Sequence, residues 1–284
     1  MIQTTNCIAI LHNPKAGRKH ISRFIKYMLK TLSGNGLKYQ LFSLHWPESL
    51  DDFTEVWVIG GDGTINYFIN HYPDCSIPIV LFKGGTGNDF AVHLYGDLSN
   101  KQILHHVLKA TPKRVDAGMF NDQLYLNSLG MGFDGEVLRN MNAIRFIGGH
   151  LGYYVSVLKN VLFFKEKEIS IITGRSHKKE KFLLVMVNNT SSTGGGFRIA
   201  PLAKIDDGKL DMVVAKKLSV LKRLRYLPIL EKGKHLHLPF VMYEQQQEIK
   251  IETTQPLALQ VDGELYFTNE VEIKILPKKF LFKY

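Results

Sequence analysis

The stretch Val56-Trp57-Val58-Ile59-Gly60-Gly61-Asp62-Gly63-Thr64-Ile65-Asn66 constrains this chain more than any other. The apolar run from Val56 to Ile59 reads as a buried strand. It empties into Gly60, Gly61, Asp62, Gly63 and Thr64, and a helix-like run follows from Ile65 to Tyr72. Strand, glycine turn and helix start together suit an anion. Glycines let the backbone come close to a ligand, and the N–H groups and dipole of the following helix favour negative charge. Asp62 is the odd member, since a carboxylate repels a phosphate unless a cation intervenes. Mg²⁺ with a nucleotide meets that requirement. The loop is not a Walker A motif, because no Gly-Lys-Ser/Thr closes it. It is not the dinucleotide fingerprint either, because Asn66 stands at the third glycine position. The plain alternative is a strand-to-helix turn capped by Asp62.

The neighbouring segments repeat the same grammar. Cys7 to Leu11 is a short strand that ends in Asn13-Pro14-Lys15-Ala16-Gly17. Ile21, Phe24, Ile25, Met28, Leu29 and Leu32 then recur at helical spacing, and Ser33 to Gly36 stops that helix. Lys38 to Leu44 is a second strand. Ile77 to Phe82 is a fourth, and it runs into a second glycine-rich loop, Lys83 to Asp89. Helical runs at Phe90 to Leu94 and Ser99 to Ala110 precede Thr111-Pro112. Alternation of this kind implies a parallel sheet with helices on both faces, joined by right-handed crossovers. Ligands of such sheets bind at the carboxyl ends of the strands. The loops at Asn13 to Gly17, Gly60 to Thr64 and Gly84 to Asp89 would therefore share one rim.

After about residue 113 the pattern becomes antiparallel. Lys113 to Phe120 and Gln123 to Leu129 read as a hairpin about Asn121-Asp122. Helices are expected at Glu136 to Ile144, Leu151 to Phe164 and Val220 to Leu230. Strands are expected at Glu168 to Thr173, Lys181 to Asn188, Lys209 to Lys216, Gln247 to Glu252, Leu257 to Val261, Leu265 to Thr268 and Glu270 to Ile275. The fold class is α/β: an N-terminal Rossmann-like nucleotide-binding domain over 1–113, then a mainly antiparallel β-sandwich domain over 114–277.

Composition narrows the partners. The net charge of +10 fits nucleic acid, anionic lipid headgroups or a polyphosphate substrate. The charges are thinly spread, densest from Lys216 to Lys234, and no aromatic-interleaved RNA module stands out. Cys7 and Cys75 lie in or near apolar runs and read as reduced core residues of an intracellular protein. Met1 to Asn6 is polar, so no signal peptide is expected, and no apolar run approaches a membrane span. The eleven histidines follow no zinc-ligand spacing.

Two further loops carry acidic residues. Asp262-Gly263-Glu264 lies between strands. Asp-Gly is a common hairpin turn, which is the reading the spacing favours; as a functional site, Asp262 would be a general base facing an interdomain cleft, oriented by Glu264. Ala200 to Asp211, after the glycine-rich loop Asn188 to Gly196, clusters Asp206, Asp207 and Asp211 about Gly208. Such a loop can hold a hard cation or be an Asp-Gly turn.

Taken in order, these blocks resemble the diacylglycerol kinase catalytic family, specifically the bacterial soluble lipid kinases related to sphingosine kinases. Asn13-Pro14-Lys15-Ala16-Gly17 is similar to N-P-x-x-G, Gly60 to Thr64 to G-G-D-G-T, and Gly85 to Ala91 to G-T-x-N-D-F-A. Asp116-Ala117-Gly118, Gly132-Phe133-Asp134 (with Gly135 where Ala is common), Ala200-Pro201, Asp207-Gly208 and Asp262-Gly263-Glu264 complete the set.

The resemblance implies a cytoplasmic, transiently membrane-associated kinase that uses ATP and Mg²⁺ to phosphorylate a lipid hydroxyl, with diacylglycerol as the type substrate. It implies that Asn13, Gly60, Gly61, Asp62, Gly63, Thr64, Asn66, Thr86 and Asn88 form the ATP site. Asp62 would act with the catalytic Mg²⁺, and Asp262 with Glu264 at the lipid hydroxyl. A second, structural Mg²⁺ would sit on Asp207 and the carbonyls of Lys204 and Lys209. Residues 278–284 would pack back on the first domain, and related enzymes often pair as homodimers.

The segment Leu44 to Glu55 departs from the family: a helix is shortened there, and a nucleotide-contacting Thr has no clear match beyond His45. Phe163-Phe164 or Leu236 to Phe240, with the basic excess, would dock the chain on anionic membrane. The competing readings are an NAD kinase, which shares the Gly-Gly-Asp-Gly-Thr loop, and a non-catalytic lipid- or nucleotide-binding regulator. Nucleic-acid binding through net charge lacks a supporting module.

Overall fold

The computed structural model describes residues 7–14, 18–143, 149–194 and 196–284. The chain divides into two compact units, Met1–Val115 with Lys278–Tyr284, and Asp116–Pro277.

The first unit contains β1 (Cys7–His12), α1 (Arg18–Gly34), β2 (Lys38–Phe42), β3 (Glu55–Gly60), α2 (Asp62–His71), β4 (Ile79–Lys83), α3 (Asp89–Tyr95) and α4 (Asn100–Val107). Its strands run parallel in the order β2-β1-β3-β4. β1, β3 and β4 are apolar along their length because helices cover both faces. The spaced apolar residues of α1 are the buried ones: Ile21, Phe24, Ile25, Met28 and Leu32. A capping box at Ser99 and Gln102 starts α4.

The remaining elements are β5 (Pro112–Phe120), β6 (Gln123–Tyr125), β7 (Ser128–Gly132), α5 (Phe133–Ala143), α6 (Gly149–Phe163), β8 (Lys167–Thr173), β9 (Ser176–Asn188), β10 (Leu210–Lys216), α7 (Val220–Glu231), β11 (Val241–Gln246), β12 (Glu248–Val261) and β13 (Glu264–Lys283). The end of β13 belongs to the first unit, where Phe282 pairs in parallel with Ile79 and Phe280 and Phe282 are fully buried.

The second unit is built on long antiparallel strands that change partner along their length. β9 pairs with β8 through Phe182 and with β7 from Leu184 to Asn188. β12 pairs with β8 from Ile249 to Thr253 and with β7 from Leu259 to Val261. The four strands thus close on themselves, with an apolar interior that includes Leu129, Ile169, Phe182, Val185, Met212, Ile251, Leu259 and Ile273. The other face of β9 and β10, with Leu184, Met186 and Val213, is covered by Phe197, Ile199 and residues of α7. That double burial explains the unbroken apolar run in β9.

The α/β and antiparallel classes agree with the sequence reading, while several boundaries differ. The expected strands Gln247 to Glu252 and Leu257 to Val261 are one strand with a bulge between Glu252 and Leu257. The expected pair Leu265 to Thr268 and Glu270 to Ile275 is likewise one strand, β13. The expected strand Gln123 to Leu129 divides into β6 and β7. β11 was not expected, because its sequence Val-Met-Tyr-Glu-Gln-Gln runs from apolar to polar without alternation and is half-buried throughout. The expected helix to Ile144 extends there beyond the described residues, as do Lys15 to Gly17, Gly195 and Met1 to Asn6.

A buried ion pair joins α6 to α7. Arg223 and Glu166, with side chains 6% and 7% exposed, meet at 2.7 Å. Arg223 also donates to the carbonyls of Val161, Phe164 and Leu218, which places a cation at the C-terminal end of α6. Burial alone would raise the pKa of Glu166, but hydrogen bonds and the Arg223 charge outweigh it and the net shift is downward. A depressed carboxylate stabilises the fold above its unfolded pKa and loses that contribution as pH falls through the folded one. Arg223→Ala, which strands a buried carboxylate, is expected to cost about 3–5 kcal/mol in urea unfolding. The same variant should show a shallower loss of stability on acidification.

Candidate active site

The first unit's site is built by the close approach of two glycine loops. A Cβ on Gly61 would lie 2.7 Å from the Cα of Gly85, and one on Gly85 would lie 2.6 Å from the Cα of Gly61. Gly84 meets Gly60 in the same way, at 2.9 Å. Only glycine permits this packing. The second loop is held by Asn88, which takes the left-handed conformation at φ 56°. Its Oδ1 accepts from the N–H groups of Gly84 (3.1 Å) and Gly85 (2.8 Å), and its Nδ2 donates to the Gly85 carbonyl (2.8 Å). Asn88 therefore shapes the loop through bonds to its own backbone.

The helix α2 starts at Asp62, earlier than the sequence reading placed it, because Gly61 is its N-cap and no side chain caps the first turn. Asp62 leans towards the second loop and accepts from the Phe90 N–H at 3.3 Å. Burial raises its pKa, offset in part by backbone hydrogen bonds from Phe90, Asn88 and Asp89. The Asp62 and Asp89 carboxylates flank Gly87, with oxygens 3.1 and 3.9 Å from where its Cβ would be. Thr64 is buried and accepts from Asn13 Nδ2 at 3.3 Å. Asn66, two residues further on, is half-buried, and Thr86 is exposed at the tip of the second loop. His12 was not singled out from sequence. It ends β1 beside Asn13, and burial lowers its pKa.

A cavity of about 440 Å³ opens from this region, lined by Asn13, Gly63 and Thr64 at one end and Leu44, Trp46 and Tyr67 at the other. His45 also lines it.

In the second unit, Asp262 and Gly263 form the two-residue turn between β12 and β13, with φ of 47° and 86°. Positive φ at both positions is the hairpin turn that Asp-Gly favours. The Asp262 side chain nevertheless points inward and is only 5% exposed. Its carboxylate accepts from the backbone N–H groups of Leu126 (2.8 Å), Asn127 (2.9 Å) and Ser128 (3.0 Å). Asp262 thus joins the turn to the break between β6 and β7. Glu264 is exposed at the start of β13.

Asp134, part of the Gly132-Phe133-Asp134 block, lies in the first turn of α5. Burial pushes its carboxyl up to about 6. With its amide turned to satisfy both ends, Gln260 donates to Asp134 at 3.2 Å and accepts from the Gly263 N–H at 2.9 Å. The departure at Gly135 has a steric cause, since a Cβ there would lie 2.1 Å from the carbonyl oxygen of Ala258 in β12. Among the described residues Asp134 is the one carboxylate around a mainly apolar cavity of about 100 Å³, bounded by Val161, Met186, Val213 and Leu227 and also by Arg223, His235 and Thr193.

Asp207 closes its own turn. It accepts from the Lys209 N–H at 3.1 Å and from Gln245 at 3.5 Å, while Gly208 donates to Asp116 at 2.7 Å. Asp211 lies nearby with a buried, unpartnered Oδ2; burial raises its pKa, and the Asp207 charge adds to that rise. Lys204 and Lys209 expose their side chains. Among the described residues no group of three His, Cys, Asp or Glu side chains is placed to hold a metal by itself. No helix there is long and apolar enough to cross a membrane.

Residues 8–120 match the family described as the diacylglycerol kinase catalytic domain. Residues 127–281, more than half of the chain, match the YegS C-terminal NAD kinase beta sandwich-like domain. The diacylglycerol kinase of Bacillus subtilis is 24% identical over 270 residues, covering 90% of this chain and 88% of that protein. That of Staphylococcus saprophyticus is 25% identical, covering 90% and 88%. Among solved structures, a diacylglycerol kinase from Bacillus anthracis superposes with a TM-score of 0.80 at 24% identity over 99% of this chain and 97% of that one. An NAD kinase from Archaeoglobus fulgidus shares the fold more distantly, with a TM-score of 0.57 at 15% identity over 98% and 93%. With both of its units accounted for by these matches, the chain belongs to the diacylglycerol kinase catalytic family and is a kinase.

Proposed function

We propose that this kinase transfers the γ-phosphoryl group of ATP to the hydroxyl of a lipid alcohol such as diacylglycerol, the acceptor that names its relatives. The observation that carries the reading is the interlocked pair of glycine loops at the uncapped start of α2, with a half-buried carboxylate turned between them. Gly60, Gly61, Gly63 and Thr64 present backbone to the phosphates, and Asn13, Asn66 and Thr86 complete the site around them. Asn88 holds the second loop in shape.

The donor set fits Mg²⁺. Asp62 and Asp89 converge on Gly87, and the raised pKa of Asp62 marks a negative charge that burial leaves under-compensated. Mg²⁺ is ordinarily held by one or two carboxylates with substrate phosphates and water. When bound, it neutralises charge on the β- and γ-phosphates. A second, structural Mg²⁺ would sit on Asp207 with the carbonyls of Lys204 and Lys209, relieving the repulsion between Asp207 and Asp211.

Asp262 is the base in this reading. The acceptor oxygen bonds to the γ-phosphorus as the bond to the β-γ bridging oxygen breaks, and the hydroxyl proton passes to the Asp262 carboxylate. Three backbone amides hold that carboxylate in place beside the turn. Glu264 would orient the acceptor from the exposed side of the turn. The mainly apolar cavity of the second unit would take the lipid chain, with Asp134 in its lining. At about 100 Å³ it is smaller than the roughly 300–1,000 Å³ of small-molecule sites, so α5, α6 or α7 would move to admit a chain.

The second unit also offers a membrane-facing surface. α6 exposes Leu158, Leu162 and Phe163 (73%), and α7 exposes Leu221 (80%) and Leu224. Lys216, Lys217, Lys222 and Arg225 accompany them in sequence. Of the segments expected to dock, Phe163 is exposed, whereas Phe164 is buried; Leu236 packs against the core and Leu238 and Phe240 line the cavity, with His237 and Pro239 exposed between them. Juxtaposed basic and apolar side chains favour anionic bilayers.

Labelled γ-phosphate from ATP should appear in one member of a panel of lipid alcohols in mixed micelles with Mg²⁺. Asp62→Asn and Asp262→Asn should each lower turnover by about 10²-fold or more, assayed at a temperature where circular dichroism shows the variant folded. Label in NAD instead would move the protein to NAD kinase chemistry, and unchanged turnover in Asp262→Asn would remove the base assignment. For Asp134 the sign of the pH effect is opposite to that of Glu166. Its folded pKa is raised from 3.8 to about 6, so the folded state keeps the proton longer and stability falls as pH rises through that window. Asp134→Asn should flatten that segment of the stability–pH curve and stabilise the protein above pH 6. Co-sedimentation with vesicles should rise with the anionic lipid fraction and fall in a Phe163→Glu, Leu221→Glu variant. Binding indifferent to anionic lipid would exclude this surface.

A further inference from the structure

The cavity beside the first glycine loop continues past the phosphate end to an aromatic wall. α2 presents Gly63, Thr64, Tyr67 and His71 to it along one helical face. At the helical rise, Tyr67 lies about 6 Å and His71 about 12 Å along the axis from Gly63. The opposite side is Leu44 to Trp46, in the connection between β2 and β3.

Trp46 is fixed by packing. Its ring stacks on Tyr72 at 6.3 Å and 14° and touches Phe68 at 6.2 Å, while the Tyr72 hydroxyl donates to the Pro47 carbonyl. These contacts hold the short segment on α2 and account for Trp46 structurally. They do not account for Tyr67. Its side chain is 56% exposed, yet its ring is braced on two sides. Trp46 meets it edge-on at 5.3 Å and 63°, and His71 stacks on it at 5.3 Å and 14°. An oriented, open aromatic ring at the wall of a cavity whose far end is a helix N-terminus suits a planar group attached to an anion.

We infer that Tyr67, braced by Trp46 and His71, is the platform on which the purine base of the nucleotide stacks. The inference rests on the reading that Gly60 to Thr64 hold the ATP phosphates. A nucleotide lying along this face of α2, with its phosphates at the first turn, places its base over the second and third turns. Stacking on one aromatic ring tolerates any base and draws affinity from the π face.

Isothermal titration calorimetry with the full chain, using Mg-ATP and Mg-tripolyphosphate in parallel, tests this. Wild type should bind ATP more tightly than tripolyphosphate. Tyr67→Leu should weaken ATP binding by about 5- to 150-fold, the range that stacking on one aromatic spans, and leave tripolyphosphate binding unchanged. Tyr67→Phe should restore ATP binding. Unchanged ATP affinity in Tyr67→Leu, or equal losses for both ligands, overturns the platform while the nucleotide reading stands. Failure of wild type to bind either ligand overturns both. Unfolding midpoints of the variants distinguish a lost ring from a lost fold.

Discussion

The contact on which the first unit depends is between two backbones that lack side chains. Gly61 and Gly85 meet at a distance that no Cβ permits. Everything near the site is arranged around that contact. β3 and β4 must deliver their loops side by side, which their parallel register does from Val56 against Ile79 to Gly60 against Lys83. α2 must begin at once, leaving its first turn without a side-chain cap. Asn88 must fold the second loop back on itself. A charged residue placed there is forced into partial burial, and this is the origin of the raised pKa of Asp62.

The second unit is organised by strands that serve two partners each. Because β9 and β12 pair with β8 at one end and β7 at the other, its apolar interior closes without a further helix. The opposite face of β9 and β10 is left for α7 and the Phe197 to Ala203 segment to cover. The apolar cavity lies on that helical side, and the buried Arg223–Glu166 pair fixes α7 against the end of α6 there. Asp262 then ties the β12–β13 turn to the start of β7 through three amides. The same carboxylate is a structural anchor by geometry and the base in the proposed reaction.

Much of this was legible in the sequence where a local period decides the structure. The spacing of Ile21, Phe24, Ile25, Met28 and Leu32 announces α1, and the apolar runs before each glycine loop announce β3 and β4. The sequence was misleading where polar residues interrupt a strand that continues. Thr253 to Pro256 separate two expected strands, yet they form a bulge that β12 passes through. β11 carries no alternation to detect. Among the site residues, the placement of Gly60 to Thr64 follows from local grammar. The inward turn of Asp262 does not, because its partners lie more than 130 residues away in the chain. The environment of Asp134 depends in the same way on Gly130, Gln260 and Ala258 meeting in three dimensions.

The return of the last strand to the first unit has a consequence for synthesis. Phe280 and Phe282 fill that unit's core, Tyr95 donates to the Lys283 carbonyl at 2.8 Å, and Lys283 meets Glu55 at 2.8 Å. Domains generally fold as units during translation, N-terminal first. Here the N-terminal unit cannot finish in that order. Until residues 278–284 leave the ribosome, β4 has an open edge and α3 lacks the aromatic contact between Phe90 and Phe282. The N-terminal unit is therefore begun first and completed last, and a growing chain must carry an unfinished sheet while the whole second unit is made.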